Sequence, residues 1–188
     1  RFPMPTVLTH TVVPLALGLG LGKDVIPRPL MAAGMVAAVL PDLDVIAFRF
    51  GITYASGFGH RGFSHSLFFA VFVALIGACV FRYYRTGFSR AFAFLFLFIV
   101  SHGILDSFTN GGSGIAFLWP WSMDRFYAPV QFIEVSPLRL ERVFSSRGIT
   151  VLLSELVWVW TPLALVGLGL AVCSRAAKHA VCEQESTG

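Results

Sequence analysis

Histidine and aspartate side chains recur in four short motifs of a chain that is otherwise strongly apolar. The residues are His10, Asp42 and Asp44 in PDLD, His60 and His65 in HRGFSHS, and His102 with Asp106. Imidazole and carboxylate ligands without thiolates suit zinc, manganese or iron among the common metals. Two neighbouring carboxylates also repel each other unless a cation holds them. The motifs therefore predict a divalent-metal site, with zinc as the favoured ion and manganese or iron as alternatives.

Each motif also has an ordinary structural explanation. His102 and Asp106 are four residues apart, so on a helix they share one face, where they can bind one ion or only hydrogen-bond each other. The PDLD motif can form a turn, and His10 alone is typical of a core or interfacial histidine. In HRGFSHS, Ser64 can cap the next helix and Arg61 can contact a lipid headgroup. The joint occurrence favours function, because ionisable groups beside membrane spans are costly and usually mark functional sites.

The number of ligands favours one or two metal ions. Seven candidate ligands exceed what one tetrahedral zinc ion needs. Paired ions of this kind activate water and clamp the oxygens of a phosphoester during in-line displacement. The planar guanidinium of Arg61 would hold a phosphoryl oxygen. His60 would act as a general acid, support another ligand or bind a second ion.

Glu155 is an acidic residue within the apolar stretch LLSELVWVW. It is a further candidate metal ligand. Two alternatives remain open: an ion pair with an arginine of residues 125–147, or a hydrogen bond to Ser154 or to a tryptophan.

The elements that must position these residues are predicted to be membrane helices. The chain has 188 residues, of which 56% are hydrophobic and 13% charged, and its mean hydropathy is +0.75. Soluble domains carry about 25% charged residues, so the composition predicts an all-α, polytopic membrane bundle. The net charge is +4, but the basic residues are scattered, so no nucleic-acid partner is expected. The three cysteines lack CxxC spacing and predict neither a disulfide framework nor a thiolate site.

Four to five hydrophobic helices are predicted, from segments near residues 6–22, 30–40, 66–83, 88–108 and 149–173. They form a single membrane-embedded domain, 1–173, followed by a polar, frayed C-terminal tail, 174–188. The second segment is short and is predicted to stop at Pro41. A long loop, 109–148, joins the last two and is expected to be functional or to carry a small structure of its own. The stretch SFTNGGSGIAFLWPWS, 107–122, is either a lid or substrate-entry loop or a plain amphipathic loop. If the segments cross the bilayer in alternation, all seven motif residues lie at one membrane face.

Six stretches carry a resemblance to a known family: PTVLTH, LPDLD, HRGFSHS, SHGILDSFTNGG, LWPWS and SELVWVW. In this order, over about Met4 to Pro162, they resemble the YdjM-like family of LexA-binding, inner-membrane-associated metal-dependent hydrolases. That family is distantly similar to the all-helical zinc phospholipase C and P1 nuclease group. The resemblance implies ligand roles for an Asp of PDLD and for four further residues, His10, His65, His102 and Asp106. The later HxxxE pair of the soluble enzymes is incomplete here, because Val151 stands four residues before Glu155; this favours one or two metal ions over three.

The leading hypothesis is a multi-pass protein of the bacterial inner membrane that acts as a metal-dependent hydrolase. Its substrate would be a phosphoester in a lipid or a lipid-linked molecule, so the lipid bilayer is the expected partner, and the sequence indicates no particular protein partner. The alternative is a non-enzymatic membrane partner or regulator whose metal site is structural. A transporter is disfavoured, because its ligands would lie near mid-membrane, whereas these lie at one end of their segments.

Overall fold

The computed structural model describes residues 3–4, 7–137 and 145–187, and side chains within 8–135 and 145–178. The α-helices are α1 (Val7–Leu21), α2 (Arg28–Ala37), α3 (Leu67–Ala78), α4 (Phe88–Ser107), α5 (Ser146–Glu155) and α6 (Thr161–Thr187). Two 3₁₀ helices, Leu40–Phe50 and Phe63–His65, and a π-helical turn, Leu156–Trp160, lie between them. A two-residue strand, β1 (Pro3–Met4), pairs antiparallel with β2 (Ser136–Pro137). The predicted all-α fold is confirmed.

Three helical stretches are long and apolar enough to cross a membrane within the part of the chain that is described. They are Arg28–Phe50, Phe88–Ser107 and Ser146–Lys178, and two shorter apolar helices cover Leu8–Leu21 and Leu67–Ala78. These five stretches coincide with the five predicted hydrophobic segments. A bilayer-spanning helix needs about 20 residues, so the shorter two are the ones whose length falls below a full perpendicular span.

Helical structure continues past Pro41, contrary to the prediction that the second segment stops there. Proline lacks the N–H that an α-helix needs, but the tighter 3₁₀ pattern tolerates it: the Asp42 N–H donates to the Val39 carbonyl at 3.1 Å. The PDLD motif therefore lies inside a helix rather than after one. Counted with its 3₁₀ continuation, the second segment is 23 residues long.

The helical structure of the last hydrophobic segment extends beyond its predicted apolar residues, 149–173. Helix α5 begins at Ser146, where the Ser145 hydroxyl accepts a hydrogen bond from the Gly148 N–H, and helical structure runs through the π-helical turn to Thr187. The sequence from 174 to 187 contains neither glycine nor proline, so nothing local interrupts the helix. The polar tail predicted from residue 174 is thus helical over its described part, where a frayed end was expected.

Helix α4 forms the centre of the bundle. Its buried face carries Leu95, Phe98, Ile99, His102 and Asp106, at the three- and four-residue spacing of one helix side. Helix α3 packs on it through small alanines, and α2 crosses it closely. A Cβ at Gly34 of α2 would lie only 2.2 Å from the Phe98 ring, so this close approach requires glycine. The apolar half of α4 thereby anchors the turn that carries its histidine and aspartate.

Candidate metal centre

Four buried side chains converge at one end of the bundle. Asp42 comes from the 3₁₀ helix after α2, His65 from the short 3₁₀ helix before α3, and His102 and Asp106 from the last turns of α4. Each offers a ligand atom, and these atoms all lie within 4.8 Å of one another. A single cation could therefore contact all four after small side-chain adjustments.

His102 presents its Nε2 atom to this group. Its Nδ1 lies 2.7 Å from the Ala38 carbonyl oxygen. A carbonyl can only accept, so Nδ1 carries the hydrogen and Nε2 of the neutral ring holds a lone pair. That Nε2 lies 3.1 Å from His65 Nε2 and 3.4 Å from Asp42 Oδ1. A ring fixed by a backbone carbonyl in this way is typical of metal-binding histidines.

His65 is oriented by the Ser64 hydroxyl. Ser64 Oγ donates to Asp44 Oδ2 at 2.7 Å and lies 2.9 Å from His65 Nδ1. Because the single hydroxyl hydrogen goes to the carboxylate, Nδ1 donates to the Ser64 oxygen and Nε2 faces the group, 3.5 Å from Asp106 Oδ2. Burial lowers the pKa of His65, but the adjacent carboxylates of Asp106 and Asp44 outweigh it and raise the pKa to about 9. A proton therefore competes with a cation for this ring.

Asp44 lies beside the four-residue group rather than in it. Its Oδ1 accepts from His60 Nδ1 at 2.6 Å, and its Oδ2 accepts from the Arg61 backbone N–H at 3.1 Å and from Ser64. The two carboxylates of PDLD thus have separate surroundings. Asp42 faces the candidate ligands, and Asp44 supports the HRGFSHS segment.

His60 is fully buried, with its Nδ1 held by Asp44. Its Nε2 atom has no hydrogen-bond partner among the described residues. The ring lies edge-on to Tyr54 at a centroid distance of 5.2 Å and to His65 at 5.6 Å. His60 therefore adjoins the group and keeps one nitrogen available.

The Arg61 guanidinium is enclosed by protein acceptors. Its Nε lies 3.0 Å from Asp106 Oδ2, Nη1 donates to the Gly111 carbonyl at 2.8 Å, and Nη2 donates to Thr109 Oγ1 at 3.0 Å. The side chain is buried, so Arg61 and Asp106 form a buried ion pair. A contact with a phosphoryl oxygen, as the sequence predicts, would use its two remaining N–H donors.

Gly112 lets the loop after α4 close over Arg61. Its φ of +91° lies in the region that favours glycine, and a Cβ there would come within 2.4 Å of Arg61 Nη1 and 2.8 Å of the Tyr54 hydroxyl. Both the backbone conformation and the space require glycine. The loop therefore serves as a cover for the buried ion pair.

His10 of α1 stacks on the His102 ring of the cluster. Its ring lies 3.7 Å from that of His102, nearly parallel, and its Nε2 lies 3.6 Å from Asp106 Oδ1. Helix α1 thus contributes a third imidazole within reach of the Asp106 carboxylate.

The polar atoms of this region fit a bound cation. Both oxygens of Asp42 and Asp106 and both nitrogens of His10 are buried without a well-aligned hydrogen bond among the described residues, although Asp106 Oδ2 lies 3.0 Å from Arg61 Nε in their ion pair. Unpartnered buried polar atoms are costly, and Arg61 supplies one positive charge against two carboxylates. Two imidazoles and two carboxylates are a donor set that zinc accepts in tetrahedral geometry. The residues present therefore fit a divalent metal ion.

Glu155 lies outside the four-residue group. Its Oε2 accepts a hydrogen bond from the Thr9 hydroxyl at 2.7 Å, and Thr9 in turn accepts from the Trp160 indole N–H at 2.9 Å. Thr9 directly precedes His10, so this buried contact ties the helix after Glu155 to the helix that carries a candidate ligand.

Sequence reasoning missed the residue that organises the loop before HRGFSHS. The Arg125 guanidinium donates to the carbonyls of Tyr54, Ser56, His60 and Gly114, and lies 5.7 Å from the Tyr54 ring centre. Its only signal was that it is the first basic residue of the 109–148 loop, after a stretch rich in glycine. Ser66, and not Ser64, caps α3, since its hydroxyl accepts from the Phe69 N–H.

The chain was compared with known proteins. A family model described as YdjM inner membrane protein matches residues 4–180. Inner membrane protein YbcI of Escherichia coli (strain K12) is 52% identical over 169 residues, which are 88% of this chain and 96% of that protein. No solved structure matches.

Proposed function

The chain belongs to the YdjM inner membrane protein family, and from its buried cluster we propose that it is a metal-dependent hydrolase of the inner membrane. Its substrate is a phosphoester in a lipid or a lipid-linked molecule. Donor atoms that are all nitrogen or oxygen favour zinc, with manganese or iron as alternatives. One ion fits the four-residue group, and His10 and His60, each with a nitrogen that is unbonded among the described residues, are separate candidates for binding a second ion.

One observation carries this proposal: two buried carboxylates, Asp42 and Asp106, face the Nε2 atoms of two histidines, and only Asp106 has an ion pair with an arginine among the described residues. A buried carboxylate costs several kcal/mol unless a cation compensates it, roughly on the scale of a broken buried ion pair, and the single charge of Arg61 does not balance two carboxylates. Bound ions of this kind serve phosphoester hydrolysis, because they stabilise the charged oxygens of the transition state.

The chain's own residues have distinct roles in this proposal. A bound divalent ion supplies a Lewis acid and lowers the pKa of water. Ala38 and Ser64 fix the ring orientations of His102 and His65. Arg61 holds Asp106 in place. His60, fixed by Asp44 at Nδ1, offers Nε2 to take or give a proton at the substrate.

Metal analysis tests the first half of this function. Protein purified in detergent should carry one or two zinc, manganese or iron ions per chain by mass spectrometry. Metal-loaded protein should then hydrolyse phosphatidylglycerol or a chromogenic phosphodiester, and Asp42→Asn should abolish turnover while Asp24→Asn, an exposed carboxylate beside Lys178, should not. Full metal content without turnover of either substrate would refute the hydrolase.

A structural metal site in a non-enzymatic partner or regulator is the second candidate, and the burial of the cluster favours it. His102 is 0% and Asp106 1% exposed, and Asp42 and His65 reach only 5% and 4%. Structural zinc sites are closed by four protein ligands, whereas catalytic sites keep an open position.

X-ray absorption spectroscopy of the metal-loaded protein separates the two candidates. A catalytic site should show an added oxygen ligand that phosphate or vanadate displaces. A structural site should show the four protein ligands alone, unchanged by either anion, and chelation should unfold the bundle.

A further inference from the structure

We propose that an apolar groove beside the cluster holds an acyl chain of the lipid substrate. The groove lies between α1 and the segment formed by α2 and its 3₁₀ continuation, and its volume is about 390 Å³. It is lined by Thr11, Met35, Val36, Val39, Leu40 and Leu43. This inference rests on the proposed function and adds which part of the substrate is recognised and from where it enters.

The groove and the cluster share backbone. Thr11 of the groove follows His10, and Leu43 follows Asp42. Successive Cα atoms are about 3.8 Å apart. One end of the groove therefore lies one residue along the chain from two of the cluster's polar residues.

The 3₁₀ helix separates the two surfaces. Asp42 is 5% exposed, whereas Leu43 is 55% exposed. Consecutive residues of a 3₁₀ helix point about 120° apart, since it has three residues per turn, so Asp42 turns inward and Leu43 outward. Asp42 is also less completely sealed than His102, at 0%. Asp42 at 5% and His65 at 4% are the least sealed of the four residues, and Asp42 is the one that adjoins the groove in the chain.

An acyl chain is the occupant that matches this groove. Five of its six lining residues belong to the candidate membrane span Arg28–Phe50, a segment expected to meet the bilayer hydrocarbon. Its volume lies within the range of small-ligand pockets, roughly 300–1,000 Å³. An apolar groove lined by the chain neighbours of His10 and Asp42 is complementary to an amphiphile whose acyl tail would lie in the groove and whose phosphate head would meet the candidate metal centre.

A second groove provides an internal comparison. It is apolar and of similar volume, about 360 Å³, and lies between α1 and α6. Leu19 and Leu168 line it, and no residue of the four-residue group adjoins them in the chain. Ordinary lipid contact should fill both grooves alike, whereas substrate binding should favour only the first.

Photolabelling tests the proposal. Metal-loaded protein in nanodiscs would receive phosphatidylglycerol with a diazirine at the end of one acyl chain, and labelled peptides would be mapped by mass spectrometry. Residues 35–43 should be labelled several-fold more than the groove between α1 and α6. The double variant Val36→Trp, Leu43→Trp should remove that excess, and Leu168→Trp should leave it unchanged.

A diazirine-bearing fatty alcohol, which lacks the phosphate, supplies the decisive contrast. Equal labelling of the two grooves, or the same excess with the alcohol, would overturn the proposal and mark the groove as ordinary lipid contact. If the excess labelling of residues 35–43 depended on the phosphate but no turnover occurred, the groove assignment would stand and the hydrolase would be refuted. Turnover without the excess labelling would support the hydrolase and refute the groove assignment.

Discussion

The Nε2 atoms of His65 and His102 face each other at 3.1 Å inside the helix bundle. The Ala38 carbonyl occupies the Nδ1–H of His102, so the lone pair on its Nε2 must meet either a proton on His65 or a cation. These two nitrogens are also the atoms through which the histidines would bind a metal. Proton and metal therefore compete for one position.

That competition predicts metal binding that strengthens with pH. The pKa of His65 is raised to about 9, so its ring is protonated at neutral pH until a metal displaces the proton. Affinity should rise about tenfold per pH unit through the neutral range and level off above the pKa of His65. Competition with a fluorescent zinc chelator of known pH response measures this, and a pH-independent affinity would contradict it.

Removing the central imidazole should empty the site. His102→Ala deletes a ligand atom that lies within 4.8 Å of the other three, and we expect metal content to fall to background by mass spectrometry. Ser101→Ala is the matched control, because the Ser101 hydroxyl on the same turn bonds only the Phe98 carbonyl among its described contacts. Unchanged metal in His102→Ala would refute the site.

Asp44 should raise the affinity of the site for a metal ion without being a ligand itself. Asp44→Asn weakens the hydrogen bonds to His60 and Ser64, which orient the neighbouring imidazoles. Loss of such support lowers metal affinity by about 10–100-fold. Titration calorimetry with zinc would measure this, with Asp24→Asn as the unaffected control; a complete loss of binding would instead make Asp44 a direct ligand.

Replacing Arg61 should lower the free energy of unfolding far more than replacing an exposed arginine does. Arg61→Ala leaves the buried Asp106 charge without its ion pair, which costs about 3–5 kcal/mol in free energy of unfolding. Arg147→Ala breaks an exposed pair with Glu134 and should cost about 0–1 kcal/mol. Thermal unfolding in detergent compares the two, and equal shifts would argue against a buried ion pair.

Two glycines should respond oppositely to alanine. Gly112→Ala meets a φ of +91° and a contact of 2.4 Å with Arg61 Nη1, so it should lower the unfolding temperature and the metal content. Gly169→Ala lies within α6 with nothing inside 4 Å, and should stabilise the helix by up to about 1 kcal/mol. If both variants changed the unfolding temperature in the same direction, the loop would not act as a cover over Arg61.

Local patterns explain how far the sequence could predict this fold. Runs of apolar residues marked all five hydrophobic helical stretches, because burial in a bilayer demands them regardless of neighbours. The same reasoning misjudged Pro41, since a proline excludes an α-helical hydrogen bond but not a 3₁₀ one. It also ended the last helix too early, because polar residues do not stop a helix when no glycine or proline follows.

The sequence by itself determined that His102 and Asp106 share a face, since four residues make about one helical turn. It also determined that the polar motifs lie at the ends of apolar segments. Only the tertiary structure decided between Asp42 and Asp44: two positions along a 3₁₀ helix point to different sides, so one carboxylate faces the cluster and the other faces His60. The partners of Arg61, Glu155 and His65 were likewise decided by packing, because contacts between distant segments depend on how the helices meet and not on local spacing.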